Sequence, residues 1–355
     1  MVDKRNSNIE LLRILAASMV ILLHFNLKGG IDNAIGVNQM LLVLIEAISI
    51  SAVNVFMIIS GYFGGKLEIT LNKPLNLIIE VMFIKLLFFV GGLIIGTSVF
   101  TVKGLLYSLI PNNYFIIFYI AVYVISPFLN AFVNTMSSKV RIKFLVVTFV
   151  VFSVYPTIID CINAFIVNHG KKAIVDISTI SRNGSLNGFN IINFVYMYLI
   201  GAIIRENKEM FGKIRARVLF YCFGITVFVI YIWTYLSIGN CFSPGVSLAY
   251  CNPLVIVLAS VIFLLFSRIQ ISNKWINKCA ACALTVYLTH VYFIELLVNK
   301  TIVSGNFFVL VLYLLFVVAA LYIVGVIVHN VYALIEKAVI APITKLFSVR
   351  ISSLE

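Results

Sequence analysis

Among the ionisable residues of this sequence that fall inside long apolar runs are Glu10, Arg13, His24, Glu46, Glu80, Lys85, Asp160, His290 and Glu295. A charge in hydrocarbon costs several kcal/mol, so each is either a functional group or a side chain reaching for the interface. Arg13 and His24 stand eleven positions apart. At 100° per residue that leaves a net rotation of about 20°, so both lie on one helical stripe, about 16 Å apart along the axis. An imidazole titrates near neutrality and can accept a proton, while a guanidinium is a fixed positive charge that grips anions. Glu10, three residues before Arg13, is spaced to pair with it. The alternatives are a snorkelling Arg13 anchored by Glu10 and a His24 satisfied within the bundle.

A second group lies late in the chain, in "ALTVYLTHVYFIELL", where Tyr287 and His290 are i, i+3 neighbours and Glu295 follows. A hydroxyl and an imidazole on one face can orient a polar substrate, relay a proton, or simply hydrogen-bond to another helix. Lys85 has Glu80 five residues away, a spacing of about 140° that makes a poor intrahelical pair, so its partner is expected on another helix. Glu46 and Asp160 fall near helix ends, where a rim position is expected. "VNVFMIISGYFGG" adds Asn54 and Ser60 as polar contacts and Gly61, Gly64 and Gly65 as a helix stop or a site of close approach.

The elements that carry these groups follow from composition. Of 355 residues, 62% are hydrophobic and 11% charged, which excludes ordinary soluble, disordered, collagen-like, coiled-coil and disulfide-scaffold classes. Apolar runs fall at about 9 to 27, 40 to 63, 75 to 99, 113 to 133, 144 to 166, 190 to 204, 218 to 238, 252 to 267, 279 to 298 and 307 to 334. About 20 apolar residues cross a bilayer as a helix, so the expected fold is all-α and polytopic with about ten transmembrane helices, the first retained rather than cleaved as a signal. The expected organisation is one transmembrane domain over 1–340 and a short cytoplasmic tail over 341–355. A polar segment from about 167 to 189 is expected to shape an external mouth.

The net charge of +13 comes from 26 basic and 13 acidic residues and suggests nucleic acid only in a soluble protein. Here it alternates with the loops. With the N-terminus inside, 18 basic residues fall on the cytoplasmic side, from Lys4 and Arg5 through Arg205 to Lys337, Lys345 and Arg350. Only Lys28, Lys103, Lys171, Lys172, Arg182 and Lys300 fall outside. Both termini are therefore expected in the cytoplasm of a multi-pass cell membrane protein. No nucleic-acid partner is expected. Cys279 and Cys282 read as a small-residue packing surface rather than a metal site; Cys241 and Cys251 either pair in an oxidising exterior or stay free.

These segments resemble acyltransferase family three, membrane O-acyltransferases of cell-surface glycans. "NIELLRILAASMVILLHF" is similar to the family's first helix, whose basic residue, ten residues and histidine are matched by Arg13 and His24. "FMIISGYF", "NNYFIIFYIAVYVISPFLN", "FVYMYLIGAII" and "LTVYLTH" resemble later family segments in order. The resemblance implies a cytoplasmic acyl-CoA, most often acetyl-CoA, as donor substrate with no permanently bound cofactor. It implies a hydroxyl of a surface or capsular polysaccharide, or of its lipid-linked precursor, as acceptor. Many members carry two arginines after the second helix; this chain has Lys66 and Lys73 in "KLEITLNK" instead.

The expected site is therefore His24 as base, or as a nucleophile forming an acyl-histidine, with Arg13 on the donor path. Lys66, Lys73 and Ser60 are expected to contact the donor. Tyr287, His290, Glu10 and Lys85 are expected to orient the acceptor or the catalytic pair. The rival class is a secondary transporter or lipid-linked-sugar flippase, which also needs buried charges and helix breaks; no paired inverted halves support it.

Overall fold

The computed structural model describes residues 6–238, 244–342 and 350–352. Among the described residues, seven helices are long and apolar enough to cross a membrane. They are α1 (Ser7–Asn33), α2 (Val37–Phe63), α3 (Asn72–Ile95), α4 (Tyr114–Thr135), α5 (Ser138–Asn168), α7 (Ala216–Ser237) and α11 (Phe307–Ala338). The other three expected spans take a different form. The sixth is α6, Ile191–Glu206, with 16 residues, and the eighth is α8, Pro253–Phe266, with 14. The ninth is broken at Cys282 into α9, Lys274–Ala281, and α10, Ala283–Thr289, and then tightens into short 3₁₀ turns. At 1.5 Å per residue α6 is about 24 Å long, short of a bilayer core. Burial explains its brevity: from Phe194 to Ile204 nearly every residue except Val195 is enclosed, so α6 is walled by protein rather than lipid. The chain is a multi-pass membrane protein in which seven helices among the described residues meet the length criterion.

Asparagine starts many of these helices. Asn113 before α4, Asn190 before α6, Asn252 before α8, Asn273 before α9 and Asn306 before α11 each accept a backbone N–H of the first turn. Each satisfies a donor that would otherwise stay orphaned at the helix end.

The tightest helix contact is α2 against α6. A Cβ on Gly61 would strike the Tyr198 carbonyl, and one on Gly201 the Ile58 carbonyl. Glycine at both positions lets the backbones touch, so Gly61 acts as a packing residue as well as lying near a helix stop.

Contacts between connecting segments sort into two ends. Asn8 donates to the Phe266 carbonyl at 2.9 Å, the Asn273 amide to Ser7 at 2.9 Å, and Asn76 to Glu336 at 3.2 Å. At this same end β1 (Glu68–Thr70) pairs with β2 (Arg350–Ser352). Opposite them, Lys28 meets Glu295 at 3.0 Å and Asn38 donates to the Val303 and Gly305 carbonyls. These are called below the Arg13 end and the His24 end. The Cys241 to Cys251 pairing falls partly outside the described residues.

Candidate active site

α1 carries both ends of the site. Near its start the Arg13 guanidinium donates to Glu10 at 2.7 Å, the intrahelical pair that the spacing suggested. Arg13 also faces two adjoining cavities, of about 240 and 300 Å³, which share Arg13, Ser60, Lys73 and Tyr119 in their walls. The first is walled by Gly64 and Ile69 and by the exposed Lys66; the second runs to Phe115 and Tyr287. Together they form a path from the Arg13 end towards the middle of the bundle. Its cations are Arg13, Lys66 and Lys73. Lys73 lies over the rings of Tyr119 and Tyr123, with Nζ 5.4 and 4.8 Å from their centroids. These tyrosines were not singled out in the sequence, although their i, i+4 spacing on α4 places them on one face. Ser60 lines both cavities but spends its hydroxyl on the Phe56 carbonyl at 2.9 Å.

Eleven residues beyond Arg13 on the same helix, about 16 Å along the axis, His24 Nδ1 lies 2.9 Å from the Val20 carbonyl. A carbonyl only accepts, so Nδ1 carries the proton and the neutral ring keeps a lone pair on Nε2. His24 lines neither cavity. Its ring instead meets that of His290 edge-on at 4.6 Å, and His290 lies 5.9 Å from Tyr287, which the second cavity reaches. His290 is 1% exposed, and neither of its ring nitrogens has a well-formed hydrogen bond. The Tyr287 hydroxyl donates to Asn113 Oδ1 at 3.3 Å. The break between α9 and α10 and the 3₁₀ turns that begin at His290 place this pair against α1.

Lys85 finds its partners outside its own helix. Its ammonium donates to the carbonyls of Tyr107 and Ile110 at 2.6 and 2.7 Å and to Asn112. Its partners are thus the end of a short helix and the segment before Asn113. A carbonyl cluster can hold an ammonium as well as a carboxylate can, which spacing rules do not reveal. Glu46 accepts from Asn26 at 2.7 Å between α1 and α2. Asp160 accepts from the Ser185 amide at 3.1 Å, tying the polar segment after α5 to its helix. The sequence marked Glu80 but not the residues around it: Thr285 donates to Glu80 at 2.6 Å and lies 3.1 Å from His329 Nδ1. No group of three or more His, Cys, Asp or Glu is placed to hold a metal among the described residues.

A family model described as an acyltransferase domain, that of acyltransferase family three, matches residues 6–329. No curated protein and no solved structure matches the chain.

Proposed function

The chain belongs to acyltransferase family three, and from that membership we propose that it moves an acyl group, acetyl in the first instance, from cytoplasmic acyl-CoA to a sugar hydroxyl. The acceptor is a surface or capsular polysaccharide or its lipid-linked precursor, and the site is the cell membrane. The distribution of basic residues supports a cytoplasmic Arg13 end, since 18 of the 26 fall in segments assigned to that side. The observation that carries the reading is the path itself: a cation-lined mouth leads through two cavities to Tyr287, beside a histidine pair of which His24 lies on the stripe that begins at Arg13.

In this reading the acyl chain and the pantetheine arm enter past Lys66 and Lys73, and Arg13 holds the arm's polar groups. The sugar hydroxyl approaches from the His24 end. His24 Nε2 takes the hydroxyl proton as the oxygen attacks the thioester carbonyl carbon. The carbon–sulfur bond then breaks, and the leaving thiolate recovers that proton from the imidazolium. The products are an O-acyl sugar and CoA thiol, with no net proton change. His290 buttresses the His24 ring, and Tyr287 offers an oriented hydroxyl where the two substrates meet.

The experiment compares the O-acetyl content of surface polysaccharide in cells with and without the gene. Loss of acetyl groups from otherwise normal glycan supports the transferase. Loss of exported glycan instead supports the transporter class and contradicts this reading.

A further inference from the structure

The described part of the C-terminal tail lies where the first cavity opens. β2 runs antiparallel to β1 in the register Glu68 to Ser352, Ile69 to Ile351 and Thr70 to Arg350. Side chains alternate across such a ribbon. Ile69, which lines the cavity, therefore shares a face with Ile351, while Thr70 and Arg350 share the other with Glu68. Ile69 is buried and Arg350 exposed, so the ribbon puts Ile69 into the cavity wall and carries Arg350 on its opposite, exposed face. α4 ties the ribbon down: the Tyr123 hydroxyl donates to the Thr70 carbonyl at 3.4 Å, and the same ring carries Lys73. The cross-strand partner of Arg350 is thus bonded to the tyrosine that positions a mouth lysine. Glu68 shares the face of Arg350 without forming an ion pair with it among the described residues. The family match ends at residue 329, short of this strand.

An acyl-CoA divides into an uncharged acyl-pantetheine arm and a nucleotide with several phosphates. An arm can thread cavities of about 240 and 300 Å³; the phosphates must stay at the mouth, where their charge remains solvated. Guanidinium is the side chain best shaped to meet them, with two parallel donors per phosphate. We propose that Arg350, carried by β2, is part of the acyl-donor site and binds the phosphate groups of a CoA thioester at the cavity rim. This rests on the acyl-CoA reading above.

The test uses membranes holding the full-length chain and two donors, acetyl-CoA and S-acetylpantetheine, which lacks the nucleotide. Arg350→Ala should raise the KM for acetyl-CoA about fivefold to tenfold, the loss of one charge-assisted contact at a solvated rim, and leave the KM for S-acetylpantetheine unchanged. Arg350→Lys should recover part of the affinity. The KM for the glycan should not move in either variant. Wild-type saturation by acetyl-CoA tests the underlying reading, and without it both inferences fall. Given saturation, an acetyl-CoA KM unchanged by Arg350→Ala overturns the Arg350 assignment alone. An equal fall in kcat with both donors also overturns it, because that is how a merely structural strand would behave.

Discussion

His24 on α1 and His290 at the end of α10 meet edge to face, with ring centroids 4.6 Å apart. The two residues are far apart in the chain, and they touch because α9 and α10 break and turn against α1. His24 Nδ1 is engaged by the Val20 carbonyl, so the ring is held from its own helix on one side and by His290 on another. Rings fixed in this way lose little entropy when a proton is transferred.

His290→Ala should lower kcat about tenfold to a hundredfold while leaving the KM for acetyl-CoA within twofold, because it removes a support of the base rather than a substrate contact. His290→Phe keeps the buried ring and should recover part of the loss. A kinetic comparison of the two variants checks this. Equal, unimpaired activity in both would remove His290 from the site.

Arg13→Ala should raise the KM for the acyl donor about tenfold with a smaller change in kcat, since its guanidinium faces both cavities. Loss of Arg13 also leaves Glu10, 7% exposed, without its 2.7 Å partner. The double variant Glu10→Gln, Arg13→Ala should therefore be more stable than the single one. Thermal denaturation in detergent reads the stability, and initial rates over a range of acetyl-CoA read the KM.

Lys85 and Asn113 should behave as one unit. Lys85 gathers the carbonyls of Tyr107 and Ile110 just ahead of Asn113, and Asn113 accepts from both Tyr287 and the Ile116 amide. Lys85→Met and Asn113→Ala should each reduce kcat severalfold, and the double variant should lose clearly less than the product of the two. A double-mutant cycle on kcat measures that coupling; strictly multiplicative losses would mean that the segment does not connect them.

Gly201→Ala should destabilise the protein by about 1–3 kcal/mol, the usual cost of forcing an extra carbon into a packed contact. Its Cβ would strike the Ile58 carbonyl. Gly212, with nothing near an added Cβ, is the control and should tolerate alanine. The melting temperatures of the two variants, purified side by side, give the comparison.

The Arg13 and His24 stripe was legible in the sequence because helical periodicity is a local property. Both residues fall within one unbroken helix, so 100° per residue held from one to the other. The Glu10 pair was legible for the same reason. Contacts between helices were not: the His24 and His290 rings, the Asn113 and Tyr287 bond, and the Thr285 and Glu80 bond depend on how distant segments pack. For Lys85 the spacing pointed off its own helix but could not show that backbone carbonyls hold it. The short α6 and the broken α9 and α10 show the limit of hydropathy, since a helix walled by protein need not match the bilayer. The run at 113 to 133 held a further signal, Tyr119 and Tyr123 at i, i+4, that gains meaning only once Lys73 is placed over their rings.

The central claim is that His24 takes the proton in an acyl transfer within the membrane. It is tested most directly by transfer of radiolabelled acetyl from acetyl-CoA to isolated glycan, comparing wild type with His24→Ala at matched membrane levels. A general base contributes about 10²- to 10⁴-fold, so the variant should lose at least a hundredfold in rate while still binding the acyl donor. Transfer at the wild-type rate would contradict the assignment.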